Sequence, residues 1–175
     1  MTTEKACGRC AAMGRTCCQE TDIFLTVGDL KRIAGRVGRL DFYEYRRPED
    51  PLYLDQGDDP VWAGRTIRAD NTRRVLKRCP NGDCLFLGGN GCVLSMDVRP
   101  LVCRLHPFTY TAAGLEGIDD PRCLAASDEC GGELTTLFSM SYNQALLWHQ
   151  QLYSEIFLDE ERTGDEDRDH LRPAV

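Results

Sequence analysis

A chain of 175 residues with 42% hydrophobic and 28% charged residues has the make-up of one globular domain, which excludes a globally disordered protein. Its formal charge of -7, from 28 acidic and 21 basic residues, argues against a protein that binds nucleic acid by neutralising phosphates. No run approaches the roughly 18 consecutive apolar residues of a membrane span.

The start, Met1 to Ala6, has no apolar stretch of the kind found in a secretory signal before it reaches Cys7. The expected compartment is the cytoplasm. Thiols stay reduced there, so ten cysteines point to metal or redox chemistry rather than a disulfide framework.

The first cysteine window, Cys7-Gly-Arg-Cys10 followed by Cys17-Cys18, is rich in small residues and reads as a loop. A short helix is predicted over Thr26 to Val37. Thr26 and Asp29 have capping-box spacing, and Leu30, Ile33, Ala34 and Val37 recur at helical period before Gly38. From Asp41 to Trp62, Pro48, Pro51 and Pro60 with acidic runs break any period, so loop with short extended pieces is expected. Arg65 to Ala69 and Thr72 to Lys77 read as a β-hairpin turning at Asp70-Asn71. Its Arg65, Arg68, Arg73, Arg74, Lys77 and Arg78 are expected to form a solvated face.

The second window, 79–108, holds Cys79, Cys84, Cys92 and Cys103 among glycines, and Cys123 and Cys130 follow in a further loop. A long helix is predicted from Glu133 to Glu160. Its apolar stripe runs through Leu134, Leu137, Phe138, Ala145, Trp148, Leu152 and Ile156, and is expected to pack on Leu30, Ile33 and Val37. His149 reads as a helix-surface residue. The expected whole is a small, loop-rich, metal-organised α+β domain over 1–163, with a flexible charged tail at 164–175.

Two thiolates in a Cys-x-x-Cys turn can grip one metal ion or form a redox dithiol. No βαβ pattern surrounds Cys7 and Cys10, which favours metal. Adjacent residues of an extended chain point to opposite faces, so Cys17 and Cys18 are expected to serve different sites. Cys84, Cys92 and Cys103 supply further thiolates. Cys79, Cys123 and Cys130 are candidates to complete the set. His106 lies at a spacing from Cys103 that suits either a Cys/His zinc site or a structural imidazole before Pro107. Arg99 and Arg104 either offset thiolate charge or pair with carboxylates.

Taken in order, Cys7-x-x-Cys10, Cys17-Cys18, Cys84-Leu-Phe-Leu, Gly91-Cys92 and Arg99-Pro100-Leu-Val-Cys103-Arg104-x-His106-Pro107-Phe108 resemble the YkgJ-like cysteine cluster family of zinc- or iron-chelating domains. Ser95-Met96-Asp97 stands where that family usually has an aromatic residue. The resemblance implies a bound metal, either zinc or iron, and no settled reaction. A related cluster in flagellin lysine methylases makes an iron–sulfur protein acting in protein modification the second expectation. That would bring a protein partner or substrate. A metallochaperone or sensor is the third. No Gly-rich nucleotide loop, Ser-His-Asp order or His-Glu-x-x-His motif is present, so no catalytic residue is assigned.

Overall fold

The computed structural model describes residues 8, 10–14, 16–54, 57–118 and 140–159. Helices and small antiparallel sheets combine into an α+β fold. The helices are α1 (Val27–Val37), α2 (Pro60–Thr66), α3 (Leu101–Leu105) and α4 (Tyr142–Asp159). The strands are β1 (Tyr43–Arg46), β2 (Arg73–Leu76), β3 (Leu87–Gly88), β4 (Gly91–Cys92), β5 (Phe108–Thr111) and β6 (Gly114–Ile118).

Helix α1 forms as its sequence dictates. The Thr26 hydroxyl accepts the Asp29 amide at 2.9 Å, and the Asp29 carboxylate accepts the Thr26 amide at 3.1 Å. Gly38 ends the helix with a positive φ of 71°, a conformation that costs glycine little.

The predicted hairpin is corrected. Arg65 and Thr66 belong to α2, which starts with the Asp59 side chain accepting the Trp62 amide and with Pro60 in its first turn. The tight turn is present, with Asn71 at φ 61° and the Asn71 amide bonded to the Arg68 carbonyl. Beyond it, β2 pairs with β1, Arg73 opposite Arg46 and Leu76 opposite Tyr43. The opposite side of β2 meets the 23–25 segment, where Leu25 N–H donates to Arg74 O and Leu76 N–H to Ile23 O. The hairpins of the fold lie later, at β3–β4 and β5–β6.

Flanked on both sides, β2 is buried along its length, so the expected solvated basic face does not exist. Several of these arginines find separate partners instead. Arg74 donates to Leu25 O and pairs with Asp159, and Arg78 pairs with Asp22 and Glu49. The guanidiniums of Arg68 and Arg65 lie over the rings of Tyr45 and Phe157.

Two apolar clusters make the core. Ala145, Leu152, Tyr153 and Ile156 of α4 pack with Phe24, Leu101, Leu105 and Phe108. Leu30 and Ile33 of α1 pack with Phe42, Leu76, Phe86 and Leu94. The α4 stripe therefore faces α3 and Phe24, not the apolar face of α1. The link from α1 to α4 is polar: Glu155 accepts from Arg32 at 2.7 Å and from the Thr26 hydroxyl. His149 is buried rather than on the surface, its Nε2 lying 2.7 Å from Thr111 O. Leu134, Leu137, Phe138 and the 164–175 tail lie outside the described residues.

Gly28 is required by that polar link. A Cβ there would overlap the Glu155 carboxylate, which Arg32 and Thr26 hold in place. Gly28→Ala is expected to expel the carboxylate and destabilise the protein by about 1–3 kcal/mol, read by chemical denaturation. A variant equal to the parent would show that Glu155 relaxes at no cost.

Candidate metal centre

The cysteine windows are joined through the backbone. Cys84 N–H donates to Cys18 O at 3.0 Å, and Glu20 N–H donates to Gly82 O at 3.0 Å. Between these bonds, Gln19 and Asp83 form an antiparallel bridge, reinforced by Gln19 Nε2 donating to Asp83 Oδ1 at 2.8 Å. Gly82 makes the approach feasible, since its φ of 87° lets the 79–84 loop turn sharply enough to present Cys84 to the doublet.

A cavity of about 570 Å³ opens at the seam between the two core clusters. Cys17, Cys18, Cys84, Cys92, Cys103 and His106 all line it. Cys18, Cys79, Cys84, Cys92 and Cys103 are thiols, not disulfides. Cys79 is half-buried and near enough to Cys84 to act on it electrostatically. Cys10 is half-buried on a helical turn at 10–12. Cys7, Cys123 and Cys130 lie outside the described residues.

The doublet differs from its sequence expectation. Residues 17 and 18 sit in a turn rather than an extended stretch, so side-chain alternation does not apply. Both face the same cavity. The hydrogen bond from Cys17, aided by Thr16 and the nearby Arg99 guanidinium, overcomes burial and brings the Cys18 thiol down to about 7. Burial pushes Cys84 up to about 12 and raises Cys92 and Cys103 too. The neighbouring thiols raise one another further, Cys18 acting on all three.

Backbone amides support two of the sulfurs. Phe86 N–H donates to Cys84 Sγ at 3.4 Å, and the Leu94 amide donates to Cys92. In each case the donor lies two residues downstream and belongs to a buried apolar residue, which fixes the amide. The repeated Cys-x-apolar spacing is the sequence signal for these two donors.

The two motif arginines divide their roles. Arg99, 3% exposed, lines the cavity, donates from Nε to Leu94 O at 2.8 Å and lowers the pKa of both Cys18 and Cys92. Arg104 donates to Arg99 O and Asp97 O, and so braces the 97–104 segment that carries Arg99 and Cys103. Asp29 positions the same segment from below, its Oδ1 accepting Leu101 N–H at the start of α3 at 3.1 Å.

Among the described residues no three His, Cys, Asp or Glu side chains stand close enough to hold a metal ion as placed. The chemistry of the donor set nevertheless fits a thiophilic metal: several thiols, one already poised near neutrality, a buried guanidinium and amide donors to sulfur. A bound ion would draw these sulfurs inward across the cavity they share. No helix among the described residues is long and apolar enough to cross a membrane. No protein-family model matches the chain, and comparison with curated proteins and with solved structures likewise gives no match.

Proposed function

We infer that the protein binds zinc or iron through cysteine thiolates drawn from both windows, in the reducing cytoplasm. The observation that supports this best is the shared cavity: Cys17 and Cys18 from one window meet Cys84, Cys92 and Cys103 from the other, across more than 60 residues of chain. Cys18, Cys84, Cys92 and Cys103 are the first candidates to hold the ion, with Cys7, Cys10 and Cys17 completing a larger set. Thiolates of this kind neutralise a cation and tie two distant loops together, which stabilises the fold directly.

A single tetrahedral zinc takes four ligands, and five thiols line the cavity. An iron–sulfur cluster also takes four thiolates, so the same sulfurs support an iron–sulfur centre as the second reading. A role in protein modification would then be a property of the same site.

Metal analysis with an absorption spectrum, on protein purified without oxygen, separates these readings. Zinc–thiolate is colourless and iron–sulfur is brown. Cys84→Ser is expected to lower metal content in either case. Protein that carries no metal and takes none up after reduction would exclude both.

A further inference from the structure

The backbone bridge between the cysteine windows sets two of the sulfurs against each other. Gln19 stands opposite Asp83 in an antiparallel pair, so the next position on each side sets Cys18 opposite Cys84. The two backbones are joined there, Cys84 N–H donating to Cys18 O at 3.0 Å. Directly opposed residues of an antiparallel pair have Cα atoms about 4.5–5.5 Å apart. A disulfide needs about 4.4–6.8 Å. Side chains at opposed positions share one face of the pair, and Cys18 and Cys84 both line the same cavity.

The register is fixed on both sides. Thr16 Oγ1 accepts the Cys18 amide at 3.3 Å, and the Gln19 side chain bonds Asp83 at 2.8 Å. Other pairings fit less well. Cys17 and Cys18 are adjacent, and Cα atoms one peptide apart lie at ~3.8 Å, short of the disulfide range. Cys79 is one step out of register, its amide donating to Asp83 O at 2.7 Å, while Cys84 pairs with Arg78.

We propose that Cys18 and Cys84 form a reversible disulfide when a peroxide enters the cavity, and that this bond closes the cysteine centre to metal. The second half rests on the reading that these sulfurs bind metal; the bond itself does not.

Access sets the order of events. Cys18 is half-buried on the cavity wall, whereas Cys84 is 4% exposed. The Cys18 thiolate attacks the peroxide, an S–O bond forming as the O–O bond breaks and hydroxide leaves. The Cys84 sulfur then attacks Cys18 Sγ, the S–S bond forming as the S–O bond breaks and water leaves. In sum, two thiols give up two protons and two electrons, and one hydrogen peroxide becomes two waters. The thiolate is the metal ligand, so the bond removes two donors at once. A bound ion in turn occupies both sulfurs and shields them from the oxidant. Metal and peroxide thus compete for the same pair.

The test treats reduced, metal-free protein with stoichiometric hydrogen peroxide, blocks the remaining thiols, and maps the peptides by mass spectrometry. The peptide carrying Cys18 is expected to be linked to the one carrying Cys84, with fragmentation placing the bond at those two residues. A phosphine reductant should reverse it. Cys18→Ser and Cys84→Ser are expected to abolish the link and Cys17→Ser to retain it. Should these variants fail to fold, fragmentation of the link in the unsubstituted protein still decides the matter. Zinc affinity of the linked protein is expected to fall by about tenfold or more, and zinc-loaded protein should form the link more slowly. A bond at Cys17, Cys79, Cys92 or Cys103 instead, oxidation that stops at sulfinic acid, or equal zinc affinity in the two states would overturn the proposal. A link formed in protein that takes up no metal in either state would uphold the bond and overturn the metal reading. Metal uptake with no link formed would do the reverse.

Discussion

Adding zinc or ferrous iron to the reduced, metal-free protein is expected to raise its unfolding temperature by about 8–16 °C once the metal exceeds its dissociation constant a thousandfold. That excess contributes about 4 kcal/mol of stability by mass action, and each kcal/mol moves a chain of this size by ~2–4 °C. Binding should depend steeply on pH, because each thiol must lose its proton to bind. Cys84 is pushed up to about 12, and burial also raises Cys92 and Cys103, so all three are protonated at neutrality. Cys18, at about 7, is half ionised there. For four sulfurs on one ion, the logarithm of affinity should rise by about three per pH unit above pH 7, and by about four below it. The sign is fixed: higher pH removes the competing protons, so affinity increases. Calorimetry in buffers of different ionisation enthalpy counts the protons released. Binding that ignores pH, or survives unchanged in Cys84→Ser, would remove these sulfurs from the site.

The parts of the fold that the sequence shows plainly are those set by local chemistry. Thr26 and Asp29 define the start of α1, and Gly38 its end, because a cap is satisfied within one turn. The Asn71 turn is equally local, needing only a left-handed residue. The long helix is legible from Ala145, Leu152 and Ile156, which fall on one buried face, but it begins at Tyr142 and not at Glu133, since Met140 and Ser141 are not helical. Pairing across the chain is less visible. Arg73 and Arg74 read as a solvated face because charge normally marks a surface. Nothing local reveals that β1 and the 23–25 segment enclose β2, or that Tyr53 O, Leu25 O and Asp159 receive its donors. His149 was hidden similarly, since its partner, Thr111 O, lies 38 residues away.

The site was legible in composition and less so in geometry. Clustered thiols marked Cys17, Cys18, Cys84, Cys92 and Cys103, and all five line one cavity. A division of labour within the doublet would need the side-chain alternation of an extended chain, and the turn at 17–18 removes that premise. The supporting parts carry no sequence signal because they are backbone groups or ordinary helix residues. The amides of Phe86 and Leu94 are examples, and Asp29 is another: its sequence signature is only that of a cap.

Asp29→Ala is expected to cost about 3–5 kcal/mol, although the residue touches no cysteine. Its carboxylate is fully buried and joins two helices, α1 and α3. It accepts the Thr26 amide at the start of α1, the Arg32 guanidinium at 2.7 Å, and the Leu101 amide at the start of α3. Removing it strands two buried amides and leaves Arg32 with Glu155, the usual outcome when one member of a buried charged pair is deleted. Asp29→Asn should lose less, about 1–3 kcal/mol, because one oxygen remains to accept. Charge makes its own contribution. Burial pushes the Asp29 carboxyl above the usual range despite Arg32. Its ionisation therefore works against folding: the contribution is full below the ordinary carboxylate pKa and is lost as pH rises through the raised one. Glu155 runs the other way. Burial alone would raise it, but Arg32, Thr26 and Gln151 hold it below normal, so its stabilisation is lost as pH falls through that lowered value. Stability followed by urea unfolding from pH 3 to 8 should thus change slope in Asp29→Asn relative to the parent. Because Leu101 begins the helix that carries Cys103, loosening it should also weaken metal binding by at least tenfold in the folded Asn variant. Full metal affinity in that variant would show that Arg104 alone is enough to hold the 97–104 segment.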